Sequence, residues 1–243
     1  MQCVVLAGGL GTRIRSLTGP GPKYLVRVCG APFADHQLAL LAAQGFRRVL
    51  LCTGYGGAEV RNHVGDGSRF GLSVEYCDEG QDLRGTGGAL RLAFDTGLLE
   101  ERFAVLYGDS YLPIDVEPIW NAALDSRRPA LMTAHDVGDG LAEPNVAYTD
   151  GVVQLYRKGA PEPGMHHVDY GLSVFRRDVI EPRLPREPVF DLAEVFHALS
   201  VSGHLAGFEV TRRFYEVGSP VGWAALEAYL DRTVSVARTR TGS

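Results

Sequence analysis

The chain has 243 residues, 45% of them hydrophobic, and a net charge of −5 from 24 basic and 29 acidic residues. That suffices for one substantial α/β core with a smaller insertion, and is a tight fit for two independent domains. A negative balance without a basic run argues against nucleic acid as partner, and apolar stretches no longer than strands argue against a membrane span; without a basic leader, a cytoplasmic protein is expected.

The chain opens on an apolar run over 2–7 that reads as a buried parallel strand, followed at once by Gly8-Gly9-Leu10-Gly11-Thr12-Arg13 and, after a polar loop, by Pro22-Lys23. Glycines in that position let backbone N–H groups close on an anion with no Cβ in the way. Arg13 and Lys23 add two positive charges, which suit a triphosphate better than a dinucleotide pyrophosphate. The spacing matches neither Gly-x-x-x-x-Gly-Lys-Ser/Thr, because Lys23 lies far beyond the glycines, nor Gly-x-Gly-x-x-Gly, because Arg13 sits where a helix should start.

Apolar strands and amphipathic helices then alternate: helix 32–44, strand 47–52, helix 56–64, strand 72–77, helix 86–95 and strand 103–107. This order predicts a parallel sheet covered on both faces, with ligands at the carboxyl ends of its strands. Both the glycine loop and Gly108-Asp109-Ser110 fall on that edge. Gly85-Thr86-Gly87-Gly88 opens the 86–95 helix, with Thr86 as its N-cap and small residues leaving room for a ribose or base.

After a helix near 116–126 come short strands at 130–135, 145–149, 152–156 and 167–175, separated by Pro- and Gly-rich turns. A helix over 191–200, a strand over 204–210, the segment 214–217 and a helix over 220–230 follow, and the polar, basic tail from Asp231 is expected to fray. Cys3, Cys29, Cys52 and Cys77 show no paired spacing and are read as neither disulfide nor metal ligands. His166 and His167 are read as pocket rim or surface, since no carboxylate stands at ligand spacing in the sequence.

Gly-Gly-x-Gly-Thr-Arg followed by Pro-Lys, directly after the first strand, resembles the signature of the sugar-1-phosphate nucleotidyltransferases. The resemblance extends to about residue 230. Ser16-Leu17-Thr18 stands where the family has Pro-Leu-Thr, and Pro22-Lys23-Tyr24-Leu25 where it has Pro-Lys-Pro/Ala-Leu/Met, with Tyr24 unusual there. Gly85 to Leu90, Gly108-Asp109 and Asp169-Tyr170-Gly171-Leu172 fit later motifs. Tyr156-Arg157-Lys158 takes the place of Glu-Lys-Pro, and Phe214 to Ser219 that of Trp-x-Asp-x-Gly-Thr, with Glu216 for the aspartate.

The resemblance implies an α/β fold, a Rossmann-like, mostly parallel (mixed) sheet with helices on both faces and a small inserted β-rich sugar-binding subdomain. The single domain would span 1–230, with a nucleotide-binding half over about 1–128 and a sugar-binding portion over about 129–212. It implies condensation of a nucleoside triphosphate with a sugar 1-phosphate, releasing pyrophosphate, on Mg²⁺ held by Asp109 and Glu216. The attacking phosphate is already anionic, so positioning and charge neutralisation carry the rate.

By the same resemblance, Leu6, Ala7, Gly8, Gly9, Gly11, Thr12, Gly85, Thr86 and Gly87 would hold the nucleotide, and Glu79 or Gln81 its base. Arg13, Lys23, Asp109 and Lys158 would act on the phosphates, and Asn145, Lys158, Asp169 and Gly171 would hold the sugar phosphate. The chain looks most like the D-glycero-D-manno-heptose-1-phosphate guanylyltransferases, which implies GTP with that heptose 1-phosphate or mannose 1-phosphate. UTP- or CTP-dependent hexose or N-acetylmuramate-1-phosphate transfer is the alternative, and an inactive nucleotide-sugar-binding homologue a further one. A homodimer through the final helix is expected by analogy.

Overall fold

The structure is a computed structural model that describes residues 1–241 apart from 13, 15–18, 20, 139 and 141, with the backbone alone for 179 and 234–241. Strand β1 (Gln2–Leu6) is buried along its whole length. Cys3 and Val5 pack into one core and Val4 and Leu6 into a second, which is how a strand covered on both faces reads as one continuous apolar run. Two short strands, β2 (Arg27–Val28) and β3 (Ala31–Pro32), form a hairpin before the first helix. Strands β4 (Arg48–Thr53), β5 (Ser73–Asp78) and β6 (Arg102–Tyr107) lie parallel with β1 in the order β5-β4-β1-β6.

Helices cover both faces, as the alternation predicts. Helices α1 (Phe33–Ala43), α2 (Gly57–Val64) and α4 (Glu117–Asp125) send Phe33, Leu38, Leu41, Val60, Ile119 and Ala123 into the first core. Helix α3 (Gly85–Asp95) sends Ala89, Leu90 and Ala93 into the second.

Beyond β6 the sheet becomes mixed. Strand β11 (His167–Arg176) is antiparallel to β6 on one side and to β8 (Ala130–Asp136) on the other; β12 (Leu205–Glu209), β10 (Val152–Tyr156) and β9 (Val146–Thr149) complete nine strands. The β-rich portion expected over 129–212 thus extends the same sheet, because β11 saturates the open hydrogen-bonding edge of β6. A second, two-stranded pairing joins β7 (Ser110–Tyr111) to β13 (Tyr215–Glu216). The short helix α5 (Arg177–Ile180) follows β11, and α6 (Leu192–Val201) starts on a capping box in which Asp191 accepts from Ala193 N and Glu194 reaches back to Asp191 N.

Predicted elements match observed ones to within a residue or two at each end, the usual fraying margin. The last helix, α7 (Pro220–Thr241), is the exception: it continues through the tail expected to fray, and residues 231–241 contain no Gly or Pro to stop it. All four cysteines are free, Cys29 alone being exposed, and Cys52 and Cys77 face one another across β4 and β5. Among the described residues no helix is long and apolar enough to cross a membrane.

Candidate active site

The turns after β1 and β6 meet at the carboxyl edge of the parallel strands. A Cβ on Gly108 would lie 2.7 Å from both the Leu6 oxygen and the Ala7 Cα, so only glycine lets the two turns touch backbone to backbone. The Glu79 carboxylate lies against Gly8, 2.8 Å from where a Cβ would be. Gly11 has a left-handed φ of 62° and packs on the stem of Lys23. Gly9 faces open space.

These turns frame a cleft of about 230 Å³ lined by Leu6, Ala7, Gly8, Gly9, Lys23, Tyr24, Glu79, Leu83, Gly85, Thr86, Ala89, Tyr107, Gly108 and Asp109. Gly11, Thr12 and Gly87 do not line it, and Arg13 lies outside the described residues, as do Ser16, Leu17 and Thr18. Tyr24 is buried against Phe33, ring edge to face, and so packs the floor of the cleft into the first core.

The two carboxylates named from sequence come together at one end. Register across β7 and β13 pairs Ser110 with Glu216, and Val217 N donates to the Asp109 oxygen at 2.9 Å. A Cβ on Gly218 would meet Glu216 Oε2 at 2.7 Å, Lys23 Nζ at 2.9 Å and Asp109 Oδ2 at 3.0 Å, so all three side chains converge on that glycine. Lys23 Nζ donates to Asp109 Oδ2 at 2.5 Å. Glu216 accepts from Gly218 N through Oε2 and from the Ser219 hydroxyl through Oε1 at 2.5 Å, a helix-start role that leaves each oxygen a further lone pair. Hard carboxylate oxygens converging in this way fit a divalent cation such as Mg²⁺.

Glu79 is half-buried and lines the cleft, whereas Gln81 is exposed and does not. Burial raises the Glu79 carboxyl pKa, opposed by the bond that Oε2 accepts from Arg84 N at 2.6 Å and by the Arg84 charge. The residues at 83–84 bend the chain so that Leu83 also lines the cleft.

Thr86 does not cap α3. The Gly87 and Gly88 amides donate instead to the Phe190 carbonyl, at 3.1 and 3.3 Å, and a Cβ at Gly87 would collide with the Phe190 ring. Packing against residues 188–192 therefore accounts for the small residues here, a contact from 100 residues away that local sequence does not reveal. The Thr86 hydroxyl donates to Asp191 Oδ1 at 2.9 Å and accepts from Leu192 N at 2.9 Å.

Tyr107 leads from the cleft to the residues that the sequence assigns to the sugar side. Its hydroxyl donates to Asp169 Oδ2 at 3.1 Å, Gly171 N donates to Asp169 Oδ1 at 2.9 Å, and the Asp169 amide is held by Asn145 Oδ1 at 2.9 Å. Burial pushes the Asp169 carboxyl up to about 6, against the opposing effect of those two donors and of Lys158. Gly171 has a φ of 105° and brings backbone against Ser110. Lys158 lies farther out, ion-paired with Asp191 Oδ2 at 2.5 Å. Burial works against the Asp191 charge, yet bonds from Lys158, Ala193 N and Thr86 hold its carboxyl below the usual range.

Three features escaped sequence reasoning. Asp191 joins Thr86 to Lys158. Gln37, buried on α1, donates to the Tyr107 and Ser110 carbonyls at 3.2 and 2.6 Å and so pins the turn that carries Asp109. His167 does have carboxylate neighbours: strand register places Asp136 and Glu209 beside it, with potential ligand atoms within 4.8 Å of one another. Such cross-strand proximity has no counterpart in linear spacing.

A glycine-rich turn facing a lysine and two acids at the edge of a mixed sheet defines an α/β nucleotidyltransferase fold. The structure is similar to the crystal structure of HddC from Yersinia pseudotuberculosis, with a TM-score of 0.78, 24% identity, and coverage of 94% of this chain and 99% of that one. The family description "Nucleotidyl transferase" matches residues 2–185, and the chain belongs to that family. It is 33% identical over 241 residues to the mannose-1-phosphate guanylyltransferase of Mycobacterium tuberculosis, covering 97% of this chain and 66% of the relative. It is 32% identical over 120 residues to the D-glycero-alpha-D-manno-heptose 1-phosphate guanylyltransferase of Aneurinibacillus thermoaerophilus, covering 49% of this chain and 51% of the relative. The chain spans about a third to two thirds of the length of the first curated relatives it matches.

Proposed function

We propose that the protein transfers a guanylyl group from GTP to a sugar 1-phosphate, mannose 1-phosphate or D-glycero-D-manno-heptose 1-phosphate, releasing pyrophosphate. The observation that carries this reading is the convergence of Lys23, Asp109 and Glu216 on Gly218 at the end of the cleft. Both guanylyltransferase relatives support the base and the sugar class.

In this reading a phosphate oxygen of the sugar 1-phosphate attacks the α-phosphorus in line, and the bond from that phosphorus to the β-phosphate oxygen breaks. Lys23, with Arg13, neutralises the β- and γ-phosphates and the departing pyrophosphate. Mg²⁺ held by Asp109 and Glu216 supplies Lewis-acid polarisation of the α-phosphate when bound. Backbone of the Leu6–Gly9 turn and of Gly85 and Thr86 lies along the nucleotide. Glu79 accepts from guanine N1–H and the 2-amino group, a pair of donors that neither uracil nor thymine presents. Asp169, Asn145 and Gly171 orient the sugar, and Lys158 holds its phosphate.

The nucleotide is assigned to residues 1–128 and the sugar to 129–212, in a cytoplasmic enzyme that pairs through α7 as a homodimer, which sedimentation would test. The deciding experiment is a matrix of five nucleoside triphosphates against heptose, mannose, glucose and N-acetylmuramate 1-phosphates, scored by released pyrophosphate. Fastest release with GTP is expected. A preference for UTP or CTP would move the assignment to the alternative class, and no release from any pair would leave a nucleotide-sugar-binding homologue.

A further inference from the structure

Lys158 reaches its place on a long, flexible stem from the turn after β10, and its side chain is 59% exposed. Four rotatable bonds and an open surface give such a lysine no fixed position of its own. Among the described residues its ion-pair partner is Asp191, and an ion pair this exposed contributes little to stability. Its consequence is therefore positional.

The two oxygens of Asp191 have separate tasks. Oδ1 accepts from Ala193 N at 2.9 Å, capping α6, and from the Thr86 hydroxyl at 2.9 Å. Oδ2 is left to Lys158. The segment that carries Asp191 is itself anchored on the cleft wall: Phe190 N donates to the Arg84 oxygen at 3.1 Å, and Gly87 N and Gly88 N donate back to the Phe190 oxygen. Lys158 is thus referenced, through one carboxylate, to the wall that holds Thr86.

We infer that Asp191 is a positioning residue: it parks the Lys158 ammonium at a fixed distance from the Thr86 wall of the cleft, from which Lys158 engages the anionic phosphate of the second substrate. The inference rests on the assignment of Lys158 to the sugar phosphate. The incoming dianion competes for the ammonium, and Asp191 sets the starting point of that exchange without touching substrate.

Asp191→Asn tests this directly. The remaining amide oxygen still accepts from Ala193 N and Thr86, since asparagine caps helices as well as aspartate does, while the NH₂ that replaces Oδ2 offers Lys158 no anion. In the full-length protein, with pyrophosphate release as the assay, the KM for sugar 1-phosphate should rise about three- to fivefold, the most that so exposed a pair supplies. The KM for the nucleotide should stay within about twofold, and the melting midpoint should not move. In a Lys158→Met background, adding Asp191→Asn should cost less than about twofold more, because the group it positions is gone.

An unchanged or lower sugar-phosphate KM in Asp191→Asn, or losses that multiply in the double variant, would overturn the inference. If Lys158→Met alone left the sugar-phosphate KM unchanged, the assignment of Lys158 itself would fall, and the role of Asp191 with it.

Discussion

Lys23 Nζ lies 2.5 Å from Asp109 Oδ2, so an internal cation already sits against the carboxylate assigned to a metal. An ammonium and a divalent ion compete for the same oxygen, and their mutual repulsion at such range is strong in a partly buried site. Lys23→Met should therefore bind Mn²⁺ in the absence of nucleotide about fivefold more tightly or better, read by a direct titration. Its turnover should nevertheless fall by about 10²-fold or more, since the charge that the proposed function sets against pyrophosphate is lost. Weaker Mn²⁺ binding in the variant would contradict this arrangement.

Asp109→Asn and Glu216→Gln should separate by stability. Both remove a charge that the proposed function assigns to the metal and should cut turnover by about 10²-fold. Glu216 also accepts from Gly218 N and the Ser219 hydroxyl at the start of α7. Its amide variant points a donor at a donor there and should lose about 1 kcal/mol, on the scale of a broken cap. Asp109→Asn should keep its melting midpoint, and a large drop would show that this carboxylate is structural.

The raised pKa of Asp169, about 6, has two consequences of definite sign. In the proposed function its carboxylate, ionised above that pH, accepts from a sugar hydroxyl, so the KM for sugar 1-phosphate should rise as pH falls through about 6, a limb that Asp169→Asn should flatten. For stability, the folded carboxyl holds its proton to a higher pH than the unfolded one at 3.8. The native state binds more protons in that window, so this group's contribution is complete below the unfolded pKa and is lost as pH rises through the folded one. Urea unfolding across pH 4 to 8 should show that slope in the native protein and not in Asp169→Asn.

Gly87→Ala should act on packing. The new methyl collides with the Phe190 ring, and overpacking of a buried site costs about 1–3 kcal/mol. The melting midpoint should fall, the nucleotide KM of the folded fraction should hold, and Phe190→Leu in the same chain should recover part of the loss. A change confined to nucleotide binding would return this glycine to the ligand.

The parallel half of the fold was readable because β1, β4 and β6 are continuous apolar runs and helices separate the strands, local patterns that need no partner to be recognised; the edge strand β5, with Glu75 at its centre, is the weaker signal. The insertion of β11 between β6 and β8 was not, since pairing across 60 residues leaves no mark on either strand. The meeting of Asp109 with Glu216 was legible only through motif order, as the β7–β13 pair that enforces it is two residues a side. Asp191 and Gln37 were missed because each acts on backbone or side chains far along the chain, where an ordinary helix cap and an ordinary helix glutamine look alike in any sequence.

The contact of Gly108 with Leu6 and Ala7 makes the first turn and the acid-bearing turn a single interlocked hub, with no side chain between them to be resized. Mutational drift cannot tune that hub gradually, because the smallest step from glycine already jams it. Under the proposed function, selection on which base or which sugar is accepted then works at the periphery, at Glu79 and Leu83 on one flank and along β9 to β11 on the other, while the hub itself is inherited whole.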